Sequence, residues 1–438
     1  QFDSVGKRCA RHEVSAEYAS LPESVKQLPN GTDLMVTFAT GSVATMAVNW
    51  VRTVYKAGIS DLLVGALDAE MMEVCAREKI PCVHIQGGAV SQALSSRRDG
   101  NVRADPKLYP KMSVLKVGFY RELLSFGFNV WACDADALFM HDPRPLMRAD
   151  GFEHADVAIA TDCIDIPGDS RYPLLHCDFN TGLVYLRSNA KMLAFTDRWR
   201  ETVANAMETR IRDQAAFNML TKSKTPAPFR AADGAPVPRV FSVTDGAGGH
   251  FELGVLPLSR FMNGHTFFVQ HAHTLPAALP AMSVHMTYQF GEGRSFAYGT
   301  RQRLRHAGPW FVDDDSYFSG KYITAGAGAN LALREFGPHA DSRDAVKYHM
   351  EEARHRSKVM RALFGIGKAL GREVILPRLL CYCDYMWKEM KACRVGGAES
   401  MRLPFDCPMD HVFDTPRFFG DFKDGVETPN ALGVGVRE

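Results

Sequence analysis

The feature that most constrains this chain is an alternation of strand and helix patterns that begins at Asp33. Residues 34–39 read as an extended apolar strand, and Thr40-Gly41-Ser42 is a small-residue turn suited to close backbone approach. Residues 44–57 then set Val48, Val51 and Tyr55 on one helical face. A second strand, 62–67, ends in Asp68; a short helix over 70–78 and a strand over 82–85 follow. Met112, Leu115, Phe119, Leu123 and Phe126 recur at helical spacing and lead through Gly127 into the largely apolar run 128–133. Repetition of this kind predicts a parallel sheet with helices on its faces. Ligands of such sheets sit at the carboxyl ends of the strands. Thr37 to Ser42, Asp68 and the residues after Cys133 are therefore predicted to meet in one crevice.

The run 128–133 ends in Asp134-Ala135-Asp136. Extended side chains alternate faces, so Asp134 and Asp136 are predicted to project together from a strand end. Two adjacent carboxylates repel, and a hard divalent cation with oxygen ligands is the usual reason for the arrangement. Aspartates at strand ends also serve as turn and cap residues. Mg²⁺ and Mn²⁺ favour about six donors, so further ligands are needed. His285, closing the apolar run of Ser283-Val284-His285-Met286-Thr287, is the candidate. Taken by itself, such a histidine is more often an ordinary core or surface residue. Soon after it, the segment 294–305 is rich in arginine, which grips phosphate in bidentate fashion or forms a solvated basic face.

Further along come a strand over 157–160, Asn180-Thr181-Gly182 entering a strand, and a helix with Met192, Phe195, Trp199 and Val203 on one face. Arg212-Asp213-Gln214 to Asn218 and short strands between Val237 and Gln289 follow. From about residue 311 the texture changes to a charged helix over 340–370, a short strand over 373–377 and a cysteine-bearing tail. The expected organisation is a lead segment (1–30), a sheet domain (31–310) and a carboxyl-terminal extension packed on it (311–438). The chain of 438 residues carries a formal net charge of +1, which argues against a nucleic-acid or polybasic membrane surface. No apolar run is long enough to cross a bilayer. The chain opens Gln1-Phe2-Asp3-Ser4, which reads as a processed piece whose membrane anchor would lie upstream.

Taken in order, these motifs resemble a known family. Thr-Phe-Ala-Thr at a first strand end, Val-Gly-Ala-Leu-Asp, Lys116 in a helix, Asp-Ala-Asp, Asn-Thr-Gly, Asp-Gln-x-x-x-Asn and a late histidine are similar to the nucleotide-diphospho-sugar transferases of the GT-A fold. Among them the chain resembles glycosyltransferase family 77, and most the extensin arabinosyltransferases. That likeness is carried by 284–290, by Arg303-Leu304-Arg305, and by the tail: Leu376-Pro377-Arg378, Cys381-Tyr382-Cys383-Asp384 and 404–413.

The resemblance implies an α/β fold of GT-A type, with a Rossmann-like, mostly parallel sheet. It implies a retaining, Mn²⁺ (or Mg²⁺) dependent transfer of L-arabinofuranose from UDP-β-L-arabinofuranose to hydroxyproline-rich, extensin-like glycoprotein in the Golgi lumen. UDP-xylose, UDP-galactose and a catalytically dead glycan-binding protein are the alternatives. Thr37, Ala39, Thr40 and Asp68 would contact uridine. Asp134 would touch ribose and metal, while Asp136 and His285 would complete the protein ligands. Lys116 and Arg301 or Arg303 would lie near the diphosphate or sugar. Asp213 would bind donor-sugar hydroxyls, Gln214 would lie below the anomeric carbon, and Asn180 would shape the sugar and acceptor end. Arg301 stands where related sequences often carry lysine. Glutamine is a poor nucleophile, which favours front-face return over double displacement, although Asp213 is next door.

Ten cysteines and the sequon Asn30-Gly31-Thr32 suit the secretory pathway. Cys381, Cys383, Cys393 and Cys407 lack the paired C-x-x-C spacing of zinc knuckles, so structural disulfides are favoured over a zinc site.

Overall fold

The computed structural model describes residues 20–85, 108–206, 211–289, 296–384 and 391–413, with a few short pieces beyond. Residues 91–105, Arg294, Trp387 and Cys9 lie outside the described residues.

A nine-stranded sheet forms the frame, in the order β3-β2-β1-β4-β7-β6-β10-β9-β8. Its strands are β1 (Asp33–Ala39), β2 (Leu62–Ala66), β3 (Cys82–His84), β4 (Asn129–Cys133), β6 (Val157–Thr161), β7 (Phe179–Leu186), β8 (Ala227–Arg230), β9 (Pro236–Thr244) and β10 (His250–Val255). β5 (Ala137–Phe139), β11 (Phe261–Asn263) and β12 (Ser283–His285) make a separate three-stranded sheet. The strands β3, β2, β1 and β4 are mutually parallel, as the strand–helix alternation requires. Beyond β4 the sheet is mixed: β7 runs antiparallel to both β4 and β6, and β9 antiparallel to β10 and β8. This is the expected α/β class, but the sheet is mixed and not mostly parallel: beyond the β3-β2-β1-β4 block, β6 and β10 also pair in parallel. The reversal of β7 matters for the site. Its entry end, Phe179 to Gly182, comes to the same edge as the exit ends of β1, β2, β4 and β6.

Alternation along the strands supplies both faces of the core. Leu34 and Val36 of β1 pack with Val130 and Ala132 of β4 against helices α3 (Leu108–Ser125) and α4 (Ala190–Asn205) through Tyr120, Leu124, Phe195 and Trp199. Met35 and Ala39 point to the other face, with Trp131 and Tyr185, under helices α1 (Ala44–Lys56) and α2 (Ala69–Glu78). The helices follow from local signals. Asp68 accepts from Met71 N at 2.9 Å and caps α2, and Asn189 does the same for Met192 N at 2.9 Å at the start of α4. Pro110 falls in the first turn of α3, where its missing N–H costs nothing.

The carboxyl-terminal part packs as its own cluster around Tyr382, Leu403 and Phe405. Its long helix buries a stripe from Ala345 through His349, Glu352, Arg356, Met360, Leu363 and Phe364 to Gly367. Cys381 bonds to Cys407 and Cys383 to Cys393, which bears out the disulfide expectation; a third bridge joins Cys163 to Cys177. Among the described residues no helix is long and apolar enough to cross a membrane.

Candidate active site

Three backbone registers converge at the edge where the strands end. β4 stops at Cys133, and Ala137 N donates to Asp134 O at 2.9 Å, so the two aspartates occupy a tight turn into β5. This corrects the picture of an extended pair: a turn, not strand alternation, brings Asp134 and Asp136 together. β12 pairs antiparallel with β5, matching His285 to Ala137, and Met286 N donates to Asp136 O at 3.1 Å. That register places the imidazole beside the second aspartate. β4 pairs with β7 up to Cys133 and Leu183, and Asp134 N donates to Gly182 O at 2.8 Å. The glycine therefore lies against the first.

The resulting cluster is compact. His285 Nε2 is 3.4 Å from Asp136 Oδ1 and 3.9 Å from Asp134 Oδ2. One donor atom from each of the three residues lies within 4.8 Å of the others. A Cβ on Gly182 would stand 2.1 Å from His285 Cε1 and 2.9 Å from Asp134 Oδ2, so this space is open only because residue 182 has no side chain. Two carboxylates and an imidazole are the donor set that suits Mn²⁺ or Mg²⁺ better than soft metals. Burial by itself would disfavour the His285 imidazolium. Its hydrogen bond to Asp136 and the charges of Asp136, Asp134 and Asp162 outweigh burial and raise its pKa. The cluster thus draws positive charge to itself.

A second cation already serves it. Lys116, from the middle of α3, is buried and places Nζ 2.8 Å from Asp134 Oδ1 and 2.9 Å from Asp213 Oδ2. Asp213 opens helix α5 (Asp213–Thr221) and is only 5% exposed. Ser113 donates to its Oδ1 and Thr181 to its Oδ2, each at 3.1 Å. Both oxygens of Asp213 thus have protein partners, and the carboxylate ties Lys116 to the Asn-Thr-Gly segment. Asn218, the last residue of Asp-Gln-x-x-x-Asn, accepts from Phe179 N at 2.9 Å and donates to Phe179 O at 2.8 Å, pinning α5 to the start of β7.

Gln214, next on α5, donates to Asp162 Oδ2 at 2.9 Å, and Asn180 donates to Asp162 Oδ1 at 2.6 Å. Asp162 joins Asn180 of β7 to Gln214 of α5, yet no motif marks it in the sequence. It is a single aspartate after a buried strand, and only the pairing of β6 with β7 sets it beside Asn180. Burial raises its pKa, although Asn180, the charge of His285 and Gln214 all act in the opposite direction.

At the other end of the edge, Gly41 N donates to both oxygens of Asp68, at 3.0 and 3.1 Å, so Asp68 ties the Thr40 turn to the end of β2. Thr40 Oγ1 meets Ser42 Oγ at 2.7 Å, and Ala39 O accepts from Leu67 N at 3.0 Å. Thr37 departs from expectation: it lies two residues inside the strand end and is 0% exposed, sealed in the sheet. Arg303 departs as well. Its guanidinium is buried and clasped by Asp410, with Nε to Oδ1 at 3.0 Å and Nη2 to Oδ2 at 2.7 Å. The fork that sequence reasoning assigned to phosphate fastens the tail to helix α6 (Phe296–Ala307) instead. Arg301 lies on the same helix and is also buried.

Comparison with known proteins places these residues in context. The family model for nucleotide-diphospho-sugar transferases matches residues 57–295, which include every site residue from Asp68 to His285. Arabinosyltransferase XEG113 of Arabidopsis thaliana is 25% identical over 412 residues, covering 92% of this chain and 58% of that protein. Arabinosyltransferase RRA1 of the same plant is 25% identical over 199 residues, covering 42% of this chain and 47% of its own length. The chain thus spans about half the length of the curated relatives it matches. Among solved structures, the galactosyltransferase LgtC with donor and acceptor sugar analogues aligns at 12% identity, covering 65% of this chain and 98% of its own, with a TM-score of 0.37. Mouse xyloside xylosyltransferase 1 aligns at 11% identity, covering 58% and 98%, with a TM-score of 0.33.

Proposed function

The chain belongs to the nucleotide-diphospho-sugar transferase family, and from that membership we propose that it is a metal-dependent, retaining arabinosyltransferase. The donor is UDP-β-L-arabinofuranose and the acceptor an arabinosylated, hydroxyproline-rich glycoprotein. The observation that carries the reading is the cluster of Asp134, Asp136 and His285 around the space left by Gly182. Mn²⁺ held there would neutralise the charge that builds on the departing UDP.

The chain's own residues supply the rest. Ala39, Thr40 and the Asp68-braced turn receive the uridine at the β1 and β2 ends. Lys116 adds a fixed positive charge beside Asp134. Asp162, Asn180 and Gln214 form a hydrogen-bonded polar wall for the sugar. The sugar passes through an oxocarbenium-like state, and an adjacent anion stabilises it. Asp213 is held by Lys116, Ser113 and Thr181, and both oxygens of Asp162 accept from Asn180 and Gln214, so each carboxylate of the wall is already engaged and Gln214 is a poor nucleophile. That favours return on the face from which UDP leaves. The specific donor and acceptor rest on the tail motifs and on the arabinosyltransferase relatives. Three disulfides support an oxidising, secretory compartment such as the Golgi lumen.

Calorimetry of UDP with and without Mn²⁺ tests the class: wild type should bind UDP only with metal, and Asp136→Asn should abolish that dependence. UDP affinity indifferent to both would sink the transferase reading. A panel of UDP-sugars followed for slow hydrolysis tests the donor, and turnover of UDP-xylose or UDP-galactose alone would replace the arabinosyl assignment.

A further inference from the structure

Three successive carbonyls leave Asp162: its own, that of Cys163 and that of Ile164. Each is held by a different side chain. Tyr288 donates its hydroxyl to Asp162 O, Asn263 Nδ2 donates to Cys163 O at 2.7 Å, and Gln270 Nε2 donates to Ile164 O at 2.7 Å. Side chains seldom satisfy consecutive backbone groups in this way, and doing so fixes the chain direction at Asp162. The Gln270 amide has a second proton, and it goes to Gly396 O at 3.0 Å, in the carboxyl-terminal extension. Gly397, the next residue, is pressed so closely on this segment that a Cβ there would stand 2.0 Å from Ile164 O.

A second link runs behind the first. His265 is fully buried, and its Nε2–H donates to Asp384 Oδ2 at 2.6 Å; Asp384 follows Cys383, which is bonded to Cys393. The His265 ring also backs Tyr288, edge to face at 5.7 Å. Tyr288 has φ of 58°, a conformation that a bulky residue keeps only when its surroundings enforce it. The extension therefore touches the Asp162 segment at both ends of the clamp: through Gly396 and Gly397 at Ile164, and through Asp384, His265 and Tyr288 at Asp162.

We infer that the carboxyl-terminal extension is a working part of the sugar wall, and that Gln270 and Asp384 are positioning residues that aim Asp162 at the bound donor. The inference rests on the transferase reading for what Asp162 does, and on geometry alone for what holds it. Neither residue contacts the Asp134–Asp136–His285 cluster, so the two functions separate. Capture of UDP with Mn²⁺ belongs to the cluster, and handling of the sugar belongs to the clamped segment.

The test uses the full chain with Gln270→Leu, Asp384→Asn and, as the mildest cut, Tyr288→Phe. Hydrogen exchange of peptides spanning 161–166 should quicken by roughly tenfold or more, with the rest of the sheet domain unchanged. UDP affinity with Mn²⁺ should stay within about twofold, while kcat for UDP-sugar turnover falls about 10- to 100-fold at unchanged KM. Exchange that is unaltered at 161–166, or that quickens evenly across the domain, overturns the inference. So does a loss of UDP affinity in step with kcat. If wild type turns over no UDP-sugar, the functional reading fails, and the exchange measurement still decides whether the extension holds Asp162.

Discussion

Gly182→Ala isolates the proposed metal site with one methyl group. The new Cβ would lie 2.1 Å from His285 Cε1, 2.6 Å from Nε2 and 2.9 Å from Asp134 Oδ2. Ordinary contact begins near 3.4 Å, so the imidazole has to retreat by about 1.3 Å. Gly182 has no positive φ, so the backbone accepts alanine without strain. The cost in fold stability is that of modest overpacking, about 1–3 kcal/mol. The cost to the cluster is larger. Metal–imidazole bonds are ~2.1 Å and tolerate a few tenths of an ångström. A displacement several times that tolerance removes His285 as a ligand and crowds Asp134. Mn²⁺ affinity should fall by about 100-fold, which is ~2.7 kcal/mol. Titration of Mn²⁺ followed by calorimetry, with UDP present and absent, reads this directly. Gly118→Ala on α3 is the control. Its Cβ meets nothing nearer than 3.6 Å, and alanine in a helix interior should raise stability by about 0.8–1 kcal/mol. Mn²⁺ binding by Gly182→Ala within threefold of wild type would refute the reasoning, because His285 would then not be a ligand.

Three further outcomes are expected. Lys116→Met leaves Asp213 buried without its cation and should cost about 3–5 kcal/mol in urea unfolding, whereas the double change with Asp213→Asn should recover much of that loss. Arg303→Met should cost a similar ~3–5 kcal/mol by removing the guanidinium that clasps buried Asp410, with UDP affinity unchanged; a collapse of UDP affinity at intact stability would support the phosphate role. Burial at Asp156 works against its charge, but hydrogen bonds from the Glu252 backbone and Lys191, with the Lys191 charge, prevail and lower its pKa. A lowered carboxylate contributes stability above its unfolded pKa and loses it as pH falls through the folded one. Asp156→Asn should therefore cost about 2 kcal/mol at pH 7 and progressively less below about pH 4, read from urea midpoints across that range.

The sequence carried the frame of the site better than its interior. Strand alternation announced β1 to β4 and the convergence at Thr40, Asp68 and Asp134, because apolar periodicity records burial directly. The aspartate pair and His285 were legible as a donor set, although the turn that joins the pair was not. Asp162 was invisible, since its role comes from an antiparallel register between β6 and β7 and not from any local pattern. The Asp410 contact of Arg303 was hidden for a related reason. A guanidinium looks the same whether a phosphate or Asp410 will claim it, and the claimant lies in a tail that packs back across the domain. Asp213 was legible as a site residue, but its partners on α3 and β7, which make it a foundation for Lys116, come from tertiary packing that no local pattern records.

Asp134 divides itself between two masters. One oxygen faces Lys116 at 2.8 Å, and the other faces His285 across the cluster. A carboxylate already half neutralised by an ammonium binds a divalent cation less tightly than a free one. On the proposed reading, that weaker hold would favour release of the metal with the diphosphate after each transfer.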